Sequence, residues 1–216
     1  MLRGDVDWNY PERAFGSGLE APVLRALWRA GTHLTGAQVH RVTGTGTDRG
    51  VRYALARLVE HGIVTATPVG GSVLYDLNHE HLTYPAVDAA FRALDPWNQL
   101  ATRLQALIRS SFGPGSSDDV TVAVFGSVAR GEAELGSDLD LLVVVPDVDE
   151  RAHAFTDQLD RHGRDWTGQL VQVYLTTPAL LATAREADDP IVASFLDDAK
   201  RLVGPDIKAH LTGPRR

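Results

Sequence analysis

Gly126-Ser127 and, after ten intervening residues, Asp138 and Asp140 are the residues of this sequence whose types and spacing best suit chemistry, in the segment VFGSVARGEAELGSDLDLLVVV. Glycine lets the backbone approach a phosphate closely, serine adds a hydroxyl donor, and the start of a helix leaves backbone amides unpaired. Arg130 follows, within reach of the same anion. Side chains two apart on a strand project to the same side, so Asp138 and Asp140 share a face and Leu139 lies opposite. Two such carboxylates attract a hard divalent cation, Mg²⁺ or Mn²⁺, of the kind held by one or two carboxylates together with substrate phosphates. The segment has the parts of a phosphate cradle beside a metal site.

These residues need a sheet to hold them, and the pattern around them supplies one. Residues 120–125 form a buried-strand run, residues 126–134 a turn and short helix, and residues 139–145 a second strand stopped by Pro146. A helix over 149–162, a strand over 169–175 and helices over 178–186 and 191–202 complete the half. The order predicts an α/β (α+β) domain with a mixed sheet over residues 118–216.

The first half reads differently. Residues 1–18 lack periodicity and read as an N-terminal arm. From Leu19, apolar residues at helical spacing predict a helix ending at Gly31. Thr35 is placed to cap a second helix that Gly44 stops. A third, over about 48–61, has Val51, Leu55 and Leu58 on one side and Arg49, Arg52 and Tyr53 on the other. Two β-prone runs then flank Gly70-Gly71 as a hairpin. Three helices and a hairpin over residues 19–82 predict a winged helix-turn-helix. Residues 83–117 read as a helical connector interrupted at Pro96, ending in the loop at 113–117 that marks the domain boundary.

Composition narrows the classes. The chain has no cysteine, which rules out disulfides and thiolate metal sites and fits a reducing compartment. No window has the apolar length of a membrane span, and the start of the sequence has no signal-peptide core, so a cytoplasmic protein with no membrane partner is expected. The net charge of −7 is unevenly spread: residues 1–117 hold 11 Lys+Arg against 10 Asp+Glu, and residues 118–216 hold 10 against 18. An acidic second half disfavours nucleic acid unless a cation intervenes, whereas the first half is free to present a basic face.

The Gly-Ser, ten residues, Asp-x-Asp pattern resembles that of the polymerase-beta-like nucleotidyltransferases, particularly their minimal bacterial members, over about residues 118–205. The resemblance implies that Gly126 and Ser127 hold the phosphates of an NTP, with ATP the expected nucleotide, and that Asp138 and Asp140 hold the metal and serve as the catalytic residues. It also implies a third acid on the next strand, where this sequence has Gln172. An amide oxygen can ligate a metal but brings no negative charge, so nucleophile activation is expected to suffer more than NTP binding.

Residues 19–82 resemble the MarR/ArsR-like winged-helix regulators, with DRGVRYALARLVEHGIV as recognition helix. The resemblance implies that Arg49, Arg52 and Tyr53 face the major groove or phosphates of double-stranded operator DNA, that Arg57 is a flanking phosphate contact, and that Gly70-Gly71 approaches the backbone or minor groove. A homodimer is expected, since such readers pair on palindromic sites. The fused layout resembles bacterial nucleotidyltransferase-domain transcriptional regulators. Three functions follow as alternatives: a DNA-binding regulator that binds NTP and Mg²⁺, an antitoxin-like transferase of AMP to a protein or small-molecule hydroxyl, or a degenerate domain used for dimerisation.

Overall fold

A computed structural model describes residues 5–134 and 136–212. The chain forms two compact units: Tyr10–Asp95, and the residues up to Asn9 together with Pro96–Arg216. The division falls at Pro96, ahead of the 113–117 loop where composition set the boundary. Proline cannot continue the preceding helix, and the helix it opens turns its apolar stripe to the core of the second unit.

In the Tyr10–Asp95 unit, a short 3-10 turn (Pro11–Phe15) precedes α1 (Glu20–Ala30), β1 (Leu34–Thr35), α2 (Gly36–Thr43), α3 (Asp48–Glu60), β2 (Val64–Val69), β3 (Ser72–Leu77) and α4 (Tyr84–Ala93). Capping sets the helix starts. Thr35 accepts from the Gln38 amide while the Gln38 side chain accepts from the Thr35 amide, a reciprocal capping box. Thr47 accepts from Gly50 at the start of α3. The three strands form an antiparallel sheet in the order β1-β3-β2, Leu34 facing Tyr75 and Val64 facing Leu77. Val23, Leu27, Val39, Val51, Leu55 and Leu58 meet in the core under this sheet. The two residues at 34–35, read from sequence as the entrance to a helix, also pair as a strand, which ties α2 to the hairpin.

The second unit contains α5 (Pro96–Phe112), a 3-10 turn (Ser116–Asp118), β4 (Thr121–Phe125), α6 (Gly126–Arg130), β5 (Leu139–Val144), α7 (Glu150–Thr167), β6 (Val171–Thr176), α8 (Pro178–Glu186), α9 (Pro190–Asp197), β7 (Lys200–Val203) and α10 (Ile207–Thr212). The sheet is mixed, in the order β6-β5-β4-β7: β5 runs antiparallel to β4 and parallel to β6, and β7 runs antiparallel to β4. Both faces of β4 and β5 are covered, so these strands are apolar almost throughout. Val122, Val124, Leu141 and Val143 pack with Leu104 and Ile108 of α5 and Phe155 and Leu159 of α7. Ala123, Leu142 and Val144 pack on the opposite face with Leu181, Val192, Phe195 and Ile207 of α8, α9 and α10.

One element corrects the sequence reading. The helix expected over 191–202 stops at Asp197, and Lys200–Val203 is a strand whose Val203 faces Val122 and whose Lys200 faces Val124. Gly204 ends it at φ +84, where a β-carbon would meet the Val120 carbonyl and the Thr121 backbone. Only glycine fits so close to the neighbouring strand. The arm also resolves in two parts, since the residues up to Asn9 belong to the second unit and those from Tyr10 to the first.

Candidate functional site

The site is built where β4 ends and β5 begins. Antiparallel pairing sets Phe125 opposite Asp140, so Gly126, next in the chain, sits against the Asp140 carboxylate. Gly126 has φ +70, and a β-carbon there would collide with that carboxylate. Both the backbone angle and the space demand glycine. Ser127 is half-buried just behind it. The helix that follows, α6, spans 5 residues, too short to build much macrodipole, so any hold on a phosphate rests on local amides and the hydroxyl.

Asp138 precedes β5 by one residue, and Asp140 lies two further on, with Leu139 fully buried between them. The parallel register puts Gln172 of β6 beside Asp140, and its Nε2 donates to the Asp138 carboxylate at 2.5 Å. The structure therefore brings Asp138, Asp140, Gln172 and the Gly126 turn together. Burial pushes the Asp140 carboxyl above the ordinary range, the Asp138 charge adds to this, and Arg130 opposes both. A cation between the two carboxylates would relieve that strain.

Among the described residues no group of three or more His, Cys, Asp and Glu could hold a metal ion. The oxygen donors are the two carboxylates, with the Gln172 amide turned to give its N–H to Asp138, and two carboxylates fit a divalent ion that completes its shell with phosphate oxygens and water. Glu132 cannot serve as the missing acid while it accepts from Arg130 at 2.7 Å. Arg130 also donates to Asp198 at 2.6 Å, which ties the cradle helix to the end of α9. The two bonds raise its pKa above the usual value, Glu132 contributing first and Asp198 second.

The residues singled out in the first unit occupy the exposed side of α3 and the hairpin tip. Arg49, Arg52, Tyr53 and Arg57 are exposed, and Arg49 donates to the Tyr53 hydroxyl at 3.2 Å. Arg52 pairs with Asp48 and Arg57 with Glu20, each at 2.8 Å. Gly70 and Gly71 form the two-residue turn between β2 and β3, with nothing near the position of an added β-carbon. Sequence reasoning missed Trp8 and Gln169, which hydrogen-bond to each other in the core beside Asp138. No local signal marks a pair so far apart in the chain.

Among the described residues no helix is long and apolar enough to cross a membrane. No curated protein and no solved structure matches the chain. The family model of the nucleotidyltransferase domain matches residues 107–187, a span that runs from α5 through the whole site to α8. Residues 107–187 thus carry a nucleotidyltransferase domain.

Proposed function

We propose that the protein is a DNA-binding transcriptional regulator whose nucleotidyltransferase domain binds a nucleoside triphosphate, ATP by preference, together with Mg²⁺ or Mn²⁺. The observation that carries the nucleotide reading is the shared face of Asp138, Asp140 and Gln172 beside the Gly126 turn. Gly126 and Ser127 would take the phosphates, and Arg130 would meet them from the same helix by exchanging one of its bonds to Glu132 and Asp198. Asp138 and Asp140 would hold the cation, which when bound would neutralise triphosphate charge and steady a leaving pyrophosphate. With an amide at position 172, nucleotide binding is favoured over efficient activation of an acceptor hydroxyl.

The DNA reading has separate support. It draws on the order of helices, the capped α2 and α3 and the hairpin with its glycine tip, which a winged helix would need, and on Arg49, Arg52 and Tyr53 on the open side of α3 with Arg57 flanking them. The units are joined by two peptide links, at Asn9-Tyr10 and Asp95-Pro96, which suits a sensor domain acting on a reader. A homodimer on a palindromic operator, in the cytoplasm, belongs to the same proposal.

A second reading is favoured by the retention of both carboxylates of the Asp-x-Asp pair: transfer of a nucleotidyl group to a hydroxyl of a protein or small molecule. Calorimetric titration with ATP and Mn²⁺, repeated in D138N and D140N, tests the site. Binding that Mn²⁺ strengthens, with that gain lost in both variants, is expected, and absence of binding in the unsubstituted protein overturns the proposal. Incubation with labelled ATP and candidate acceptors separates the readings: covalent label that disappears in D138N establishes the transferase.

A further inference from the structure

Asp140 is fixed by the sheet itself, because it lies within β5 and pairs with Phe125 and Gln172. Asp138 lacks that support, since the ladder begins one residue after it. Gln172 bonds its carboxylate and the next amide, of Leu139, bonds Leu170 O, while on the preceding side the chain is held by Gln169. This side chain is 3% exposed, and its Nε2 donates to the carbonyl of Ser137, the residue immediately before Asp138, at 2.8 Å. Its Oε1 accepts the indole N–H of Trp8 at 2.7 Å. Trp8 is itself 7% exposed and packs on Trp97 with ring centroids 4.6 Å apart.

The rest of the same segment grips the end of α7 and the stretch of chain that leads to Asp138. The Val6 amide donates to Thr167 O at 2.8 Å. The Gly136 amide donates to the Asp5 carboxylate at 2.7 Å, and Asn9 Nδ2 donates to the Gly131 carbonyl at 3.0 Å. Gly131 closes the cradle helix, and Gly136-Ser137 leads into Asp138, so residues 5–9 bind both ends of the connection between the two halves of the site. A buried amide with both ends committed has little freedom, and breaking one end leaves a buried polar group unpaired.

We propose that residues 5–9 are part of the nucleotide site and that Trp8 and Gln169 are positioning residues, which fix the Asp138 carboxylate through the Ser137 carbonyl. The inference rests on the nucleotide reading above. Partners that orient a metal ligand from behind commonly change metal affinity by about 10–100-fold when removed. The indole therefore bears on the metal-dependent part of nucleotide binding, since its hydrogen bonds lead through Gln169 to Ser137 and not to Gly126 or Ser127.

The experiment compares affinity for ATP with Mn²⁺ and with EDTA in the full chain and in W8F, Q169L, D5A and D5N. W8F keeps an aromatic ring and deletes the donor, and D5N keeps an oxygen that can accept from Gly136. W8F and Q169L are expected to lower the Mn²⁺-dependent gain in affinity by about tenfold or more, with affinity in EDTA unchanged. D5A should show a smaller loss that D5N restores, and because Asp5 bonds at the surface, this pair stays readable if Q169L fails to fold. Equal losses with Mn²⁺ and EDTA, or an unchanged Mn²⁺-dependent gain in W8F and D5A, overturn the positioning role alone. Absence of Mn²⁺-dependent binding in the unsubstituted protein overturns the site reading, and this inference with it.

Discussion

Gln172 donates its side-chain amide to the Asp138 carboxylate, 2.5 Å away, from the strand that runs parallel to the one carrying Asp140. The amide satisfies a carboxylate that would otherwise face only another negative charge. Q172E replaces that donor with a third carboxylate on the same face. Without metal it should destabilise the fold by about 1 kcal/mol, which in a chain of this size lowers the melting temperature by about 2–4 °C. Mn²⁺ should then stabilise Q172E more than the unsubstituted protein. Thermal melts in EDTA and in Mn²⁺ measure this, and equal Mn²⁺ shifts in the two proteins would show that position 172 does not face the cation.

Gly126 adopts a left-handed backbone angle against the Asp140 carboxylate. G126A should cost about 1–2 kcal/mol from the backbone alone and should displace Asp140, weakening nucleotide binding. Gly113, at φ +98 with open space around it, provides the comparison. G113A should lose similar stability and keep its nucleotide affinity. If calorimetry finds both variants binding as the unsubstituted protein does, the cradle assignment falls.

Arg49 and Arg52 project from the exposed side of α3. If they touch phosphates or bases, R49A and R52A should weaken binding to the DNA upstream of the protein's own gene. Each arginine–phosphate interaction removed should also reduce the dependence of log affinity on log salt by about one. Gel shifts at several salt concentrations read both effects. An unchanged shift in the double variant rejects α3 as the DNA-reading helix.

His210 lies within 2.8 Å of the Thr121 hydroxyl at the start of β4. Burial lowers its pKa from the ordinary 6.5, with Asp206 opposing. The proton is therefore bound more readily by the unfolded chain. Stability from neutral His210 is fully present above about pH 6.5 and is lost as pH falls through the folded-state pKa. Denaturant unfolding between pH 8 and pH 5 should show a steeper acid loss in the unsubstituted protein than in H210Q, and parallel curves would remove His210 as the cause.

Much of this was legible from local signals. The Gly-Ser turn and the Asp-x-Asp alternation lie within fifteen residues, 126–140, so local spacing already set both carboxylates beside the turn, although Asp138 itself lies one residue ahead of the strand. The capping of α2 by Thr35 and the apolar stripe of α3 were likewise readable, because caps and helical periodicity are local. Gln172 stood out only through the family resemblance, as the residue at the place of the third acid, and its bond to Asp138 had no local signal.

Tertiary structure decided the rest, because sheet pairing and buried polar bonds join residues that sequence proximity does not link. Lys200–Val203 carried no mark distinguishing a strand from the end of a helix until β4 offered it an edge. Arg130 read as a residue able to touch a phosphate or to stay solvated, and the fold adds a bond to Asp198, 68 positions away, that no local pattern announces. Trp8 and Gln169 stand 161 positions apart. Only the folded core brings the indole of an unpatterned arm to the residue that holds the approach to Asp138. The sequence by itself determined which groups could do the chemistry, and the tertiary structure decided what holds them still.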